Sequence, residues 1–357
     1  MDGKPKTFYF GSWDDPEAAE RIWDIKKADI YAGRIAKPGF NTETTITCLL
    51  DLCNSFLDFK QTKLEGDELS KFTLDDYVGE CKRIVQFFGR DRKLETIKPL
   101  DFDQYKNAMP SDWSAVTVNK HLRYARAVFQ WANDTGVANF HYRLGLKAIP
   151  KKKVDAQLLS KAAKEFTAEE VHLLLGEASV HFRAFIMLGI NCAYGSADIG
   201  RLKTLDVDFG TSWLGVRRGK TGVTRGCWLW PETVVALRDS FKKRPETDCP
   251  ELDDLAFVTR QRRPYHVDGA RSSPVATTFA RIKKNAGIHK VGVAHYSLRH
   301  TFATIADNAR DPHAVDFVMG HKDPSISARY REGIDPERII AVCQHVRTWF
   351  LAGAPSC

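Results

Sequence analysis

Residues 319–332 read MGHKDPSISARYRE, and this stretch decides how the chain is interpreted. Gly320 is typical of the residue that ends a helix, and Tyr330 follows His321 by nine residues. Taken singly, a tyrosine is most often a core or interface residue, and a Gly-His pair is most often a helix cap with its neighbour. The stretch raises the question whether Tyr330 is such a structural residue or a nucleophile within reach of His321.

The composition and charge indicate a folded protein with an anionic partner. The chain has 357 residues, which is room for two domains, and its hydrophobic content of 43% argues against a disordered chain. Its formal net charge of +8 favours a polyanion such as nucleic acid, although a charge of this size is by itself a modest signal.

The cysteines and the apolar runs favour a cytoplasmic protein. The eight cysteines occur singly, without the two-residue spacing of a zinc knuckle or a redox motif, so we expect reduced thiols and no metal site. The amino-terminal residues lack a signal-peptide pattern, and the longest apolar run, residues 184–190, is too short to cross a bilayer. We therefore expect a soluble, non-secreted protein without a membrane partner.

Changes in pattern divide the chain into four segments. These are an amino-terminal arm at residues 1–42, a helical domain at 43–146, a basic linker at 147–165 and a second domain at 166–357. The arm contains a strand-like piece and a helix, which either contacts DNA or packs on the protein as an ordinary helix. The linker carries a proline, a run of lysines and no apolar stripe, so it could follow a phosphate backbone.

The last helix predicted in the first domain, residues 114–136, has two distinct faces. Five apolar residues recur with a 4-3-4-3 spacing and indicate a buried face: Val118, Leu122, Ala125, Phe129 and Ala132. The opposite face carries Asn119 and three cations: Lys120, Arg123 and Arg126. Such a basic face is usually a solvated surface, and contact with DNA phosphates is the alternative that we favour for the three cations.

The second domain is predicted to contain helices around a small β-hairpin. Thr167, with Glu170 three residues later, forms a capping box that opens it. Two strand-like runs, residues 212–218 and 225–231, flank GKTGVT, which has the glycine and lysine content of a hairpin turn. Helices are predicted at residues 181–195, 196–203, 232–243, 274–286, 297–309, 312–319 and 335–351. The fold class is therefore mainly α with a small β-sheet.

The second domain also contains the residue types that metal-free cleavage of a DNA phosphodiester needs. This reaction requires a nucleophile that forms a covalent phosphoester, cationic donors to the non-bridging oxygens, and an acid for the leaving 5′ oxygen. Tyr330 can be the nucleophile, and Lys220 in the hairpin turn can be the acid. Arg299 and His321 can be the donors. Each of them alone has a structural explanation, but their order and spacing favour the catalytic one.

The order of these motifs resembles that of the tyrosine recombinase, or phage-type integrase, family. The family's carboxy-terminal signature is similar to YSLRHTFAT (296–304) followed by MGHKDPSISARY (319–330), with a tyrosine nine residues after the histidine of a Gly-His pair. GKTGVTR (219–225) resembles the family's hairpin with its catalytic lysine, and FTAEEVHLLL (166–175) resembles the entry to its catalytic domain. The resemblance covers residues 165–351. The helical first domain resembles, less specifically, the family's core-binding (SAM-like) domain.

The resemblance implies a clamp on duplex DNA that carries a specific recombination site. Tyr330 would attack the scissile phosphate to give a 3′-phosphotyrosyl link and a free 5′ hydroxyl, and a partner strand's hydroxyl would reverse the step. Because the phosphoester energy stays in that link, neither ATP nor a metal is implied. The resemblance further implies a homotetramer on DNA, accessory DNA-bending proteins as partners, and a cytoplasmic, DNA-associated location.

The sequence departs from the family at the first arginine of the site. The family places this arginine three residues before an acidic residue and seven before a leucine, and alignment on Asp198 and Leu202 puts Gly195 there. Arg201 is the nearest substitute, but six residues along a helix rotate it by about 240°. Arg201 therefore substitutes only if the helix is turned or starts later, and is otherwise either exposed or paired with Asp198. Other candidates lie around the hairpin: Arg217, Arg218 and Arg225.

A second departure lies three residues before Arg299. This position usually holds histidine and here holds Tyr296, whose hydroxyl can donate to a phosphate oxygen but brings no positive charge. His295 is one residue early and would point elsewhere on a helix. His300 follows Arg299 as in many relatives, where it supports the fold.

Two hypotheses of different class follow. The first is an active recombinase whose first arginine is supplied differently. The second is a DNA-binding relative that has lost efficient strand cleavage, since removing one preorganised donor typically costs about 10²–10³ in rate. We favour the first because four site residues remain in register: Lys220, Arg299, His321 and Tyr330. If no guanidinium other than that of Arg299 lies near these four residues, the second hypothesis is favoured.

Two further surfaces are candidates for partner contacts. The helix predicted at residues 335–351 has an apolar side that docks either on a neighbouring protomer or on its own domain: Ile339, Val342, Val346, Trp349 and Phe350. The loop TRQRRPYH (259–266) carries three arginines for which we favour phosphate contact over a solvated surface: Arg260, Arg262 and Arg263.

Overall fold

The structure is a computed structural model, and it describes residues 46–159, 164–217, 224–268, 270, 273–321 and 334–354, together with Glu20 and Trp23. The chain divides into two compact units, Met1–Lys161 and Ala162–Cys357. The predicted arm lies outside the described residues apart from Glu20 and Trp23. As predicted, the described residues are mainly helical, with one small antiparallel sheet among them.

The described part of the first unit is helical throughout. Its helices are α1 (Leu49–Glu65), α2 (Lys71–Phe88), α3 (Pro99–Asn107), α4 (Ala115–Asp134) and α5 (Lys151–Leu159). The sequence analysis predicted that residues 43–146 are helical and located α4, but it missed α3, which begins at a proline shortly after a 3-10 turn. The first two helices pack on each other and on α4 around an aromatic core, in which the rings of Phe102 and Phe129 meet edge-on at 4.8 Å.

The two faces of α4 are those that the spacing predicts. Its five apolar residues with the 4-3-4-3 spacing are all buried, none more than 9% exposed. Asn119 differs from the three cations beside it, because its side-chain amide donates to the carbonyl of Ile149 at 3.1 Å and accepts from the Ile149 N–H at 2.7 Å. Asn119 therefore holds the chain that follows α4.

The segment predicted as a linker, residues 147–165, contains helix α5. No residue of α5 is buried, which agrees with the missing apolar stripe. The side chain of Gln157 nevertheless accepts the N–H of Ala115 at 2.7 Å, so that α5 is attached to the start of α4. Polar bonds, which leave no periodic signal in a sequence, therefore hold this helix in place.

The second unit surrounds a three-stranded sheet with helices. Its helices are α6 (Ala168–Glu177), α7 (Val180–Asn191), α8 (Ser196–Arg201), α9 (Pro231–Lys242), α10 (Pro250–Asp253), α11 (Pro274–Asn285), α12 (Ser297–Asp307), α13 (Pro312–Met319) and α14 (Pro336–Ala352). The strands β1 (Val207–Asp208), β2 (Trp213–Arg217) and β3 (Thr224–Trp228) pair antiparallel in the order β1-β2-β3. The sequence analysis missed only β1 and α10 among these elements, and the capping box of Thr167 and Glu170 is present.

Helix α7 lies at the centre of the second unit and positions the site. Every residue from 184 to 191 is buried, and α7 packs against α9 and α12. Gly189 allows α12 to approach closely, since a Cβ there would lie 2.7 Å from Cδ1 of Leu298. The carboxyl end of α7 is thereby brought next to the first turn of α12.

The tail helix α14 docks on its own domain. It packs against α6, α12, α13 and β3, and four of the five predicted apolar residues are at most 2% exposed: Ile339, Val342, Val346 and Phe350. The indole of Trp230 donates to the carbonyl of Cys343 in α14 at 2.9 Å. The sequence left open whether this helix docks on a neighbouring protomer or on its own domain, and the structure contains the contact with its own domain.

The described residues also bear on the expectations about thiols, metal sites and membrane helices. The described cysteines are free thiols, and no group of three or more His, Cys, Asp or Glu side chains in the described ranges could hold a metal ion. Helices long and apolar enough to span a membrane do not occur in this part of the chain.

Candidate active site

Arg299 is the centre of the candidate site. It lies in the first turn of α12 and is 2% exposed. Its Nη1 donates to the carbonyl of Ala193 at 2.7 Å, and its Nη2 donates to the carbonyl of Met319 at 2.7 Å. The guanidinium therefore joins the chain after α7 to the last residue of α13. Charged donors form strong hydrogen bonds, so these contacts fix the orientation of the guanidinium.

His321 meets Arg299 directly. Gly320 ends α13 in the left-handed conformation (φ 64°), and the chain reverses so that Nε2 of His321 lies 3.0 Å from Nη2 of Arg299. Since a guanidinium can only donate, Nε2 accepts, and Nδ1 carries the proton that is donated to Oδ1 of Asp316 at 2.9 Å. Nε2 of His321 is therefore occupied by Arg299 in the free protein, and this contact must break before Nε2 can face a phosphate.

Gly195 occupies the position of the missing arginine at the start of α8. Its backbone N–H donates to Oδ2 of Asp198 at 2.9 Å, and its φ of −87° is open to any residue. A Cβ at this position would lie 3.3 Å from Cδ2 of Tyr296 and 3.4 Å from Oδ2 of Asp198. The two departures from the family pattern, Gly195 and Tyr296, are therefore in contact.

The two residues before Arg299 that the sequence analysis singled out, Tyr296 and His295, differ in exposure. Tyr296 is 50% exposed at the amino end of α12, so its hydroxyl is accessible. His295 points into the core, where it is 1% exposed and its Nε2 lies 3.2 Å from the carbonyl of Phe185. Burial lowers the pKa of His295 to about 4, so this side chain is neutral at ordinary pH. His295 is a core residue and cannot replace the histidine missing at 296.

The other predicted catalytic residues are only partly covered by the structure. Tyr330 and Lys220 lie outside the described residues, as do Arg218 and the side chain of Arg217. The guanidinium of Arg201 pairs with Asp268 on the surface, not with Asp198, and none of its described contacts is with Arg299, His321 or Tyr296. Arg225, on β3, is 1% exposed and its Nη2 lies 3.2 Å from Oδ1 of Asp198.

Comparison with known families agrees with this arrangement of motifs. Residues 159–335 match the model of the phage integrase family. These residues form a phage integrase family domain. The resemblance to the tyrosine recombinases is therefore confirmed.

Individual relatives extend the likeness beyond the integrase domain. The chain is 22% identical over 282 residues to tyrosine recombinase XerA of Pyrococcus horikoshii, a match that covers 76% of this chain and 85% of the relative. A lambda integrase tetramer bound to a Holliday junction gives a TM-score of 0.58 at 19% identity, over 92% of each chain. The Tn1549 transposon integrase with transposon right end DNA gives a TM-score of 0.61 at 14% identity, over 84% of this chain and 99% of that one. At these identities the structures show a common fold.

The cations predicted to bind DNA in the first unit have partners within the protein. Nζ of Lys120 lies 2.9 Å from Oδ1 of Asp76, and Nε of Arg126 donates to the carbonyl of Leu122 at 3.2 Å. Arg123 is exposed, and its guanidinium stacks 5.0 Å from the ring centre of Tyr124. Arg123 is therefore the more available of the three, and phosphate contact stays a prediction for all of them.

The arginine loop of the integrase domain is an exposed tight turn. Arg260, Arg262 and Arg263 are exposed, and the N–H of Thr259 donates to the carbonyl of Arg263 at 2.8 Å. Arg262 has a left-handed backbone (φ 56°) and pairs with Asp248 at 2.8 Å. The turn therefore presents three cations on one loop, and their contact with DNA stays a prediction.

Sequence reasoning missed two residues that shape the integrase site. Asp316 orients His321, although nothing in the spacing indicated that the left-handed turn at Gly320 would bring them together. Ala193, whose carbonyl accepts from Arg299, has a left-handed backbone (φ 55°) that costs a residue with a Cβ about 1–2 kcal/mol. An alanine carries no sequence signal for this conformation, in contrast to glycine or asparagine.

Proposed function

We propose that the protein is a site-specific DNA recombinase that cuts and rejoins duplex DNA through a 3′-phosphotyrosyl intermediate. The observation that carries the proposal is the junction of Arg299 with His321, where the guanidinium from the first turn of α12 donates to the imidazole that follows α13, at 3.0 Å. The buried guanidinium is held in one orientation by two backbone carbonyls before any substrate arrives. Such preorganised donors are what a phosphate needs when charge develops on its oxygens.

The proposed reaction uses side chains alone. The hydroxyl oxygen of Tyr330 attacks phosphorus and gives its proton to water, the bond to the 5′ oxygen breaks, and Lys220 protonates that oxygen. Arg299, with His321 and the hydroxyl of Tyr296, would donate to the non-bridging oxygens. A 5′ hydroxyl from a partner strand then attacks the phosphotyrosine and returns a proton to Lys220, while the bond to Tyr330 breaks and its oxygen takes a proton from water. Because one phosphoester replaces another at each step, the scheme includes neither ATP nor a metal.

The proposed partner is duplex DNA with a specific site, bound by a homotetramer. Support comes from the lambda integrase tetramer on a Holliday junction, which has the same fold. The exposed arginine loop and Arg123 would contact the phosphate backbone. Accessory DNA-bending proteins and a cytoplasmic, DNA-associated location complete the proposal.

A DNA-binding relative without efficient cleavage is the second candidate. The observation that favours it is Gly195, which has no side chain to donate to a phosphate. This candidate keeps the DNA partner and predicts binding without a covalent product.

A nicked DNA substrate separates the two candidates. DNA bound by the full chain would be selected from a random pool and sequenced, and the bound site would then be prepared with a nick that lets the short strand diffuse away after cleavage. We expect a covalent protein–DNA adduct that is absent from Tyr330→Phe. The matched control, Tyr265→Phe, removes the same atom from another tyrosine of the domain and should form the adduct. Bound DNA without a Tyr330-dependent adduct would overturn the enzyme proposal in favour of the second candidate.

A further inference from the structure

Arg225 is a buried arginine with unused hydrogen-bond donors. Its Nη2 pairs with Asp198 at 3.2 Å, and its guanidinium carbon stacks 3.7 Å from the ring centre of Tyr194. Its Nε and Nη1 are buried and have no acceptor among the residues that the structure describes. A guanidinium has five N–H donors, so one carboxylate leaves most of them unmatched.

Arg244 of the same unit illustrates how a structural arginine is accommodated. Its Nε donates to the carbonyl of Leu255 at 2.9 Å, and its Nη2 donates to the carbonyl of Leu252 at 2.6 Å. Arg225 is buried without such carbonyls, and burial of unmatched N–H groups on a cation is unfavourable. An anionic acceptor would relieve this cost, and phosphate oxygens suit the planar fork of a guanidinium.

Arg225 is linked through one carboxylate to the position of the missing arginine. The Asp198 carboxylate joins the two, because its Oδ1 pairs with Arg225 and its Oδ2 accepts the N–H of Gly195 at 2.9 Å. Tyr194, on which Arg225 stacks, directly follows Ala193, whose carbonyl accepts from Arg299. Arg225 and Arg299 therefore both contact the short segment between α7 and α8.

A further polar group without a partner lies at the same place. The hydroxyl of Tyr194 is buried, and the described part of the chain offers it no hydrogen-bond partner. Unmatched donors from Tyr194 and Arg225 are thus grouped beside Gly195. Buried polar groups are normally matched, so their grouping indicates a place for an acceptor from outside the described residues.

We infer that Arg225 supplies the guanidinium that Gly195 cannot, by donating from Nε and Nη1 to a non-bridging oxygen of the scissile phosphate. The inference rests on the proposed recombinase function. Arg225 would act on the phosphate together with Arg299, and Asp198 would be the positioning residue that holds it. In the family, the first arginine lies at the start of the helix that corresponds to α8. In this protein a guanidinium from β3 would replace it.

The first test replaces the guanidinium. We expect Arg225→Gln to lower the single-turnover rate of adduct formation by about 10²–10³, with DNA affinity within about threefold of wild type. Arg225→Lys, which keeps the charge but not the fork, should recover part of the rate. The control is Arg238→Gln, since Arg238 also stacks on an aromatic ring, at 4.5 Å from that of Phe209, and should keep the wild-type rate. A folded Arg225→Gln protein with a rate within about threefold of wild type would overturn the inference and leave the recombinase proposal standing.

The second test returns the arginine to the family position. In the Arg225→Gln background, Gly195→Arg is combined with Tyr296→His, because a side chain at 195 meets the ring of Tyr296. We expect the rate of adduct formation to rise at least about tenfold. If the triple variant binds DNA but its rate of adduct formation does not rise, Arg225 does not replace the first arginine of the family.

The third test does not depend on the folding of Arg225 variants. In a structure of the Tyr330→Phe protein bound to its DNA site, Nε or Nη1 of Arg225 should lie within about 3.2 Å of a scissile phosphate oxygen. A separation beyond about 5 Å would overturn the inference, whether or not the wild-type protein cleaves. If wild type forms no Tyr330-dependent adduct, the recombinase proposal fails, and this distance still decides the phosphate contact.

Discussion

Each unit of the protein buries a cluster of charged side chains, and the two clusters differ in how completely they are satisfied. In the first unit Glu80 is fully buried, its Oε1 accepts from the hydroxyl of Tyr105 at 2.6 Å, and its Oε2 lies 2.6 Å from Nδ1 of His121. Burial raises the pKa of Tyr105, which keeps that hydroxyl a donor. In the second unit Arg225 has Asp198 and a ring for partners, with N–H groups left over.

The difference indicates that the Glu80 cluster stabilises the fold and that the Arg225 cluster can bind a ligand. Both oxygens of Glu80 are used, so a further ligand would gain little there. The Arg225 cluster adjoins Gly195 and the segment bound by Arg299, and Nε and Nη1 of Arg225 have no acceptor among the described residues.

Burial alone does not distinguish the two clusters. Beside Glu80 one buried nitrogen, Nε of Arg83, lacks a hydrogen-bond partner among the described residues. Beside Asp198, in contrast, two nitrogens of Arg225 and the hydroxyl of Tyr194 lack one within the same described ranges.

The largest expected effect is the loss of the first cluster. Glu80→Ala leaves Tyr105 and His121 without their buried partner, so the free energy of unfolding should fall by about 3–5 kcal/mol, as when a buried pair is broken. The rate of adduct formation per folded molecule should not change. Chemical denaturation and the nicked-DNA assay measure the two quantities.

A carboxylate of the same region serves as the control for Glu80. Asp76 lies nearer the surface, where it pairs with Lys120 at 2.9 Å and accepts from the hydroxyl of Tyr124 at 2.9 Å, so Asp76→Ala should cost about 1–2 kcal/mol, less than Glu80→Ala. If Glu80→Ala slows cleavage in folded protein, the division of the two clusters into structural and functional is wrong.

A smaller effect concerns acid stability and His295. Its pKa is 6.5 when unfolded and about 4 in the core, so below pH 6.5 the unfolded state binds a proton that the native state does not. Stability should therefore fall as the pH drops from 6.5 to 4, by about 3 kcal/mol in total from this residue. His295→Gln should flatten this part of a plot of unfolding free energy against pH, while the exposed His289→Gln should not. An unaltered plot for His295→Gln would show that its burial does not govern acid stability.

The smallest effect is expected at the exposed arginine loop of the second unit. Replacing Arg260, Arg262 and Arg263 by glutamine should weaken binding to all DNA sequences and lower the salt slope by about one for each arginine that contacts phosphate. Lys203→Gln is the control, since this exposed lysine is paired with Asp254 in the same unit. An unchanged slope, measured by titration at several salt concentrations, would exclude the loop from the DNA contact.

Much of the fold could be predicted because its signals are local. The 4-3-4-3 spacing in α4, the capping box at Thr167 and the left-handed end at Gly320 all depend on residues a few positions apart. Helix α3 was missed because it is short and buries only Phe102 and Tyr105. Helix α5, within the segment predicted as a linker, was missed because polar bonds to α4 hold it and leave no periodic apolar pattern. Short β1 was missed for a similar reason, since two residues exist as a strand only through their pairing with β2.

For the site, the sequence by itself determined the residue types, their order, the family and the absence of an arginine at 195. Only the tertiary structure decided that Arg201 pairs with Asp268, that His321 accepts from Arg299, and that Arg225 is buried beside Gly195. The physical reason is that a strand and the start of a helix, 30 positions apart in sequence, share one carboxylate. Contacts of that kind depend on how elements pack, and no spacing along the chain encodes them.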